Sequence, residues 1–174
     1  MVRAAVEQGK KIRVFATETR PKLQGARLTA FELSVDRIPV TLIADNMVGH
    51  VMESNMIDKV IVGADRVLST GHVFNKIGTS TIAIVANHYG VPFYVAAPTS
   101  SFDLKTPVGK VTIEERDSDE VRMIGSHFVA PRNVPACNPA FDMTSPRMID
   151  AIITETGVIR PPYKKNIRWI LSRT

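Results

Sequence analysis

The chain has 174 residues, 44% hydrophobic and 22% charged, an ordinary balance for one well-packed globular domain. Lysine and arginine number 22 against 17 acids, a net charge of +5, but they are scattered rather than gathered into a basic block with interleaved aromatics, so nucleic-acid binding is not expected. The one cysteine, Cys137, excludes an internal disulfide and a cysteine-based zinc site, and apolar stretches such as 82–86 and 91–97 stop well short of the roughly 20 residues a membrane helix needs.

The first ten residues carry no apolar core of the secretory kind, so the expected location is the cytoplasm. Residues 3–9 read as the last turns of a linking helix closed by Gly9, and the apolar-rich run 11–18 as a strand. A loop through Arg20-Pro21 and Gln24-Gly25 leads to a helix over about 26–35, with Leu28, Phe31 and Val35 at helical spacing. Residues 39–44 form a second strand, and Asp45 or Asn46 can cap the helix that runs to about Met52. Residues 59–64 make a third strand ending at Asp65, and 71–74 a short connection into a helix over about 76–89, stopped by Gly90. The run 92–98 is a fourth strand, of the near-continuous apolar kind found where helices cover both faces of a parallel sheet.

Past Pro98 the pattern loosens into loop, with Pro131, Pro135 and Pro139 along it. Order returns at Thr144-Ser145-Pro146, read as the capped start of a helix through Ile153, with Val158-Ile159 as an edge strand. A tail from about 163 carries Lys164, Lys165, Arg168 and Arg173 as a solvated basic segment. Four strand–helix alternations predict a single α/β domain over 1–174, Rossmann-like and doubly wound, its mainly parallel sheet of about six strands covered by helices on both faces.

In such a sheet ligands bind beyond the carboxyl ends of the strands, where Glu18, Gln24, Asp45, Asn46, Asp65 and Arg66 gather. Asn75-Lys76-Ile77-Gly78-Thr79 would open a helix, bringing unpaired amides and an ammonium to one point; it reads equally as a phosphate cradle or as an asparagine cap with a surface lysine. Asp65 ends an apolar run, where partial desolvation would raise its carboxyl toward the range of a general acid; a helix cap or a salt bridge to Arg66 explains it as well. The four histidines show no metal-ligand spacing, no dinucleotide fingerprint follows a strand, and Ser100-Ser101 has no nucleophile-elbow context.

The strings Glu18-Thr19-Arg20-Pro21, Gln24-Gly25-Ala26-Arg27-Leu28-Thr29-Ala30, Gly63-Ala64-Asp65-Arg66, Asn75-Lys76-Ile77-Gly78-Thr79 and Val95-Ala96-Ala97-Pro98 occur in this order. Together they resemble the superfamily of methylthioribose-1-phosphate isomerase, ribose-1,5-bisphosphate isomerase and the alpha, beta and delta subunits of eukaryotic initiation factor 2B. The resemblance runs from residue 3 to about 162. Ile113-Glu114-Glu115-Arg116, Asn138-Pro139-Ala140-Phe141-Asp142 and Ile152-Ile153-Thr154-Glu155-Thr156-Gly157 are most similar to the methylthioribose-1-phosphate branch.

That resemblance implies an aldose–ketose isomerase of methionine salvage that converts 5-methylthioribose 1-phosphate to 5-methylthioribulose 1-phosphate. It implies Asp65 as acid/base and Gln24, Asn75 and Lys76 as contacts to a phosphorylated pentose. No metal or organic cofactor is implied, nor a nucleic-acid or membrane partner. It also implies a homodimer, with the apolar region around Phe141 and Ile149 as a candidate surface. The family's N-terminal helical domain and catalytic cysteine find no match in these residues, and Cys137 falls in the wrong place for that role. The expectation is therefore a C-terminal catalytic domain with negligible turnover alone. Ribose-1,5-bisphosphate isomerase and a non-catalytic subunit like those of initiation factor 2B are the alternatives.

Overall fold

The computed structural model describes residues 1–172, so Arg173 of the basic segment lies outside the described residues. The chain divides into two compact units. One holds Met1–Val48 and Asp117–Cys137, and the other holds Gly49–Arg116 and the chain from Asn138 onward; each is described by itself.

The first unit opens with helix α1 (Val2–Glu7), closed by Gly9 at φ 79°. Strand β1 (Val14–Thr17) pairs in parallel with β2 (Val40–Ile43), Val14 opposite Val40. A π-helical turn (Gly25–Thr29) running into helix α2 (Ala30–Val35) joins them, and Leu33 and Ile38 carry its burial. The stripe Leu28, Phe31 and Val35 is exposed at 57%, 63% and 64%, so helical spacing gave the helix but not its buried face. A 3₁₀ turn (Asp45–Met47) feeds α3 (Val48–Glu53), within which the chain enters the second unit.

There the third apolar run forms β3 (Val60–Val62). Residues 66–76, expected as a connection and a helix start, form a hairpin instead: β4 (Arg66–Leu68) and β5 (Val73–Lys76) pair antiparallel. Val67, Leu68 and Val73 are wholly buried, a gain of about 1.5–3 kcal/mol for each large side chain, which favours the extended pairing. Helix α4 (Thr79–His88) therefore begins three residues later than expected, after Gly78 at φ 100°. Strand β6 (Phe93–Ala96) and the short β7 (Phe102–Asp103) follow.

The loop-like stretch returns to the first unit as helix α5 (Asp119–Arg122) and a minimal hairpin of β8 (Met123–Ile124) with β9 (His127–Phe128). Back in the second unit, β10 (Phe141–Thr144) precedes a 3₁₀ turn (Pro146–Met148) whose cap is Ser145, as the Ser-Pro signal suggested. The α-helix expected through Ile153 does not form. Residues 151–154 are strand β11 (Ala151–Thr154), with Ile152 fully buried, and β12 (Gly157–Ile159) is the expected edge strand, paired antiparallel. The segment expected as a basic tail is helix α6 (Tyr163–Leu171), which buries Tyr163, Ile167 and Ile170 and leaves its lysines outward.

The second unit thus has two four-stranded sheets, in orders β12-β11-β6-β3 and β10-β5-β4-β7. In the first, β11, β6 and β3 run parallel, with β6 central and its Phe93 and Val95 almost wholly buried. The fold is mixed α/β with parallel sheet segments: β1 with β2 in the first unit, and β11, β6 and β3 together with the β4–β7 pair in the second. Ile149, expected near a subunit surface, is 4% exposed and belongs to the core. Among the described residues no helix is long and apolar enough to cross a membrane, and no group of three or more metal-ligating side chains occurs.

Candidate active site

Beyond the carboxyl end of β3 the chain turns at Gly63-Ala64 into Asp65, whose amide donates to the Phe74 carbonyl at 2.9 Å and so starts the β4–β5 hairpin. The Ser101 hydroxyl donates to the Ala64 carbonyl at 3.4 Å, tying the segment after β6 to the same turn. Asp65 is solvent-exposed, not sunk in a pocket, although protein on one side still raises its carboxyl above the ordinary range. The charge of Lys76 opposes that rise, so the ammonium lies within electrostatic reach of the carboxylate. Arg66, the alternative partner, forms its ion pair with Asp103 at 3.2 Å instead.

Asn75 and Lys76 end β5 rather than opening a helix. A side chain on Gly63 would meet the Asn75 carboxamide oxygen at 3.9 Å, so Asn75 stands beside the turn that carries Asp65. Its amide nitrogen donates to the Thr79 hydroxyl at 3.0 Å, and that hydroxyl donates to the Lys76 carbonyl at 2.7 Å. The Lys76 side chain is half-buried and makes no hydrogen bond or ion pair among the described residues, which leaves its ammonium available to an anion.

The start of α4 is not an open amide cradle, one of the two readings of this segment. The two oxygens of Asp142 accept from the Gly78 amide at 2.8 Å and the Ser80 amide at 3.0 Å. Burial raises the Asp142 carboxyl, and the bonds from Ser80 and Gly78 pull the other way. An anion thus already occupies the helix start. Sequence reasoning missed Asp142, yet a signal existed: a helix that begins after glycine has no cap of its own and needs an acceptor from elsewhere.

Gln24 belongs to the other unit and is described there. It follows a turn in which Asp45 accepts from the Thr19 amide at 2.8 Å and the Arg20 amide at 2.6 Å, so Asp45 braces this loop and does not cap the helix after it. Thr19 and Leu23 have φ 63° and 58°, unusual for side-chain-bearing residues. The Arg20 guanidinium donates to the carbonyls of Pro21, Met123, Val121 and Glu120, at 2.7 Å for Val121. Among the described residues, the Gln24 carboxamide oxygen is buried without a hydrogen-bond partner. Cys137 is exposed.

Residues 1–161 match the model of the initiation factor 2 subunit family. The chain belongs to that family. Over 169 residues it is 59% identical to the methylthioribose-1-phosphate isomerase of Thermosipho melanesiensis, with 97% of this chain and 49% of that protein covered. It is 58% identical, with the same coverage, to the protein of that name from Carboxydothermus hydrogenoformans. Family members of known structure include the translation initiation factor eIF-2B subunit delta from A. fulgidus, at TM-score 0.96 and 55% identity, with 98% of this chain and 50% of that one covered. Another is the 5-methylthioribose 1-phosphate isomerase from Pyrococcus horikoshii OT3, at TM-score 0.95 and 43% identity, with 99% and 49% covered. The chain spans about half the length of the relatives it matches.

Proposed function

We propose that this chain is the C-terminal catalytic part of an aldose–ketose isomerase of methionine salvage that converts 5-methylthioribose 1-phosphate to 5-methylthioribulose 1-phosphate. The observation that carries this is the grouping of Asp65, Lys76 and Asn75 around one strand-end hairpin, in a chain 59% identical to a protein named for that activity. A phosphate on C1 blocks the free aldehyde, so the ring must open by protonation of its oxygen. Hydrogen then passes from C2 to C1, oxidising C2 and reducing C1 with no outside oxidant. Asp65, with its raised carboxyl, supplies and recovers the proton; Lys76 and Asn75 hold the phosphosugar. Gln24 is proposed as a further substrate contact on the resemblance, and its unpartnered buried oxygen suits a sugar hydroxyl.

A cytoplasmic homodimer and a Rossmann-like, doubly wound arrangement belong to the same proposal. The strand–helix alternation of β1, α2, β2, α3 and β3 supports the latter. The catalytic cysteine is proposed to lie outside these residues. A non-catalytic, regulatory role is the second reading, favoured by the 55% identity to a protein described as an initiation factor subunit. An acid within reach of a free ammonium is superfluous to a binding subunit and favours the enzyme.

The test is a hybrid in which the upstream half of the Thermosipho melanesiensis relative precedes this chain, assayed on methylthioribose 1-phosphate and on ribose 1,5-bisphosphate. Turnover of the first substrate and not the second is expected, with negligible turnover by the chain alone. Turnover confined to the bisphosphate would move the proposal to that substrate, and inactivity on both would favour the regulatory reading.

A further inference from the structure

Asp142 is fixed at both ends. Its backbone lies opposite Asn75 in the β10–β5 ladder, with Phe141 opposite Lys76, and its carboxylate holds the first amides of α4. The Ile77 amide adds a bond to the Ala140 carbonyl at 3.0 Å. The link from the end of β5 to α4 is thereby closed from outside by one side chain, and from inside by the bonds from Asn75 to Thr79 and from Thr79 to Lys76. Gly78, at φ 100°, has no side chain to settle the turn, and no atom lies within 4 Å of where its Cβ would be. The geometry of this turn depends on its partners rather than on local packing.

We propose that Asp142 is a positioning residue of the phosphosugar site, holding the Ile77–Gly78 turn at the end of β5 so that Asn75 and Lys76 are presented to the substrate; the inference rests on the reading of that site given above. A half-buried carboxylate is a costly way to cap a helix, since a serine or asparagine serves at surface positions. What it adds is two rigid, charge-assisted bonds to residues on either side of the helix boundary. It also neutralises the helix end, so that the substrate's phosphate is not drawn from Lys76 onto the α4 amides.

The inference is tested by titrating 5-methylthioribose 1-phosphate into the chain and its variants Asp142→Ala and Asp142→Asn, while following the Gly78 and Ser80 amides by NMR. In both variants these two amides should move upfield as their bonds to a carboxylate are lost or weakened. The dissociation constant should rise about tenfold in Asp142→Ala, and less in Asp142→Asn, which keeps one acceptor oxygen. A cap that acts only on folding would move the melting temperature and leave the affinity of the folded protein unchanged. Should Asp142→Ala fail to fold, Asp142→Asn carries the test, and a wild-type affinity there overturns the inference. A wild-type chain that binds while folded variants bind equally well overturns this inference alone. A wild-type chain that binds no phosphosugar overturns the site reading and this inference with it.

Discussion

Two turns in this chain are each held by one aspartate that accepts two backbone amides, and they differ in what they hold. In the first unit Asp45 braces the turn at Thr19 and Arg20, where a β-branched residue sits at φ 63° and strain of order 1–3 kcal/mol is expected. In the second unit Asp142 braces a turn whose positive φ falls on Gly78, where the conformation is nearly free of cost. The same device thus stabilises a strained loop in one place and fixes a loose one in the other. Removing the first clamp should release strain and cost stability; removing the second should cost geometry.

The glycine packed just after the first turn and the glycine within the second give the largest contrast. A Cβ on Gly25 would lie 1.7 Å from the Thr17 carbonyl oxygen, so Gly25→Ala should cost about 4 kcal/mol or more, or prevent folding. Gly78→Ala meets no atom and should cost only about 1–2 kcal/mol for the left-handed backbone. Urea unfolding of the two variants measures the difference, and equal losses would show that the two turns are not built differently.

Next in size is Asp45→Ala, which leaves two amides without their acceptor and a strained turn without its brace; a loss of about 1–3 kcal/mol is expected in the same experiment. Hydrogen exchange should quicken at Thr19 and Arg20, with no change at Gly78. A loss spread evenly over the chain would contradict a local clamp.

The smallest effect concerns acid. Asp103 is held at about 2, first by the Thr106 hydroxyl and then by the amides of Thr106 and Lys105. Its folded value lies below its unfolded one, so what it contributes is present above pH 4 and is lost as pH falls from about 4 to about 2. Asp103→Asn should flatten the fall in melting temperature across that window and leave its shape above pH 5 unchanged. A wild-type slope in the variant would contradict the assignment.

Much of this was legible in the sequence, and the failures share a cause. Strands β1, β2, β3 and β6 announce themselves as apolar runs bounded by turn residues, and Gly9 and Gly90 mark true helix ends. The β4–β5 hairpin was missed because its strands span only 66–68 and 73–76, too short for a period of two to show. Residues 151–153 read as helix because a short apolar run looks alike in a helix and in a buried strand, and the Ser145-Pro146 cap upstream belongs to a 3₁₀ turn. Asp65 was legible as a carboxylate just past the end of β3, whereas Asn75 and Lys76 read as a helix start and instead end β5. Asp142 and Asp45 were not, because each acts on amides far away along the chain, 62 positions for Ser80 and 26 for Thr19.

In the proposed mechanism Asp65 moves the proton and Lys76 holds the phosphosugar. In the hybrid enzyme, Asp65→Asn keeps the shape of the side chain but cannot deliver a proton, so kcat should fall on the order of 10²–10⁴-fold with KM nearly unchanged. Lys76→Ala should instead raise KM by roughly 10–100-fold, the value of a lost charge-assisted bond. Steady-state kinetics of the two variants on methylthioribose 1-phosphate is the direct measurement. A wild-type kcat in Asp65→Asn would contradict the account.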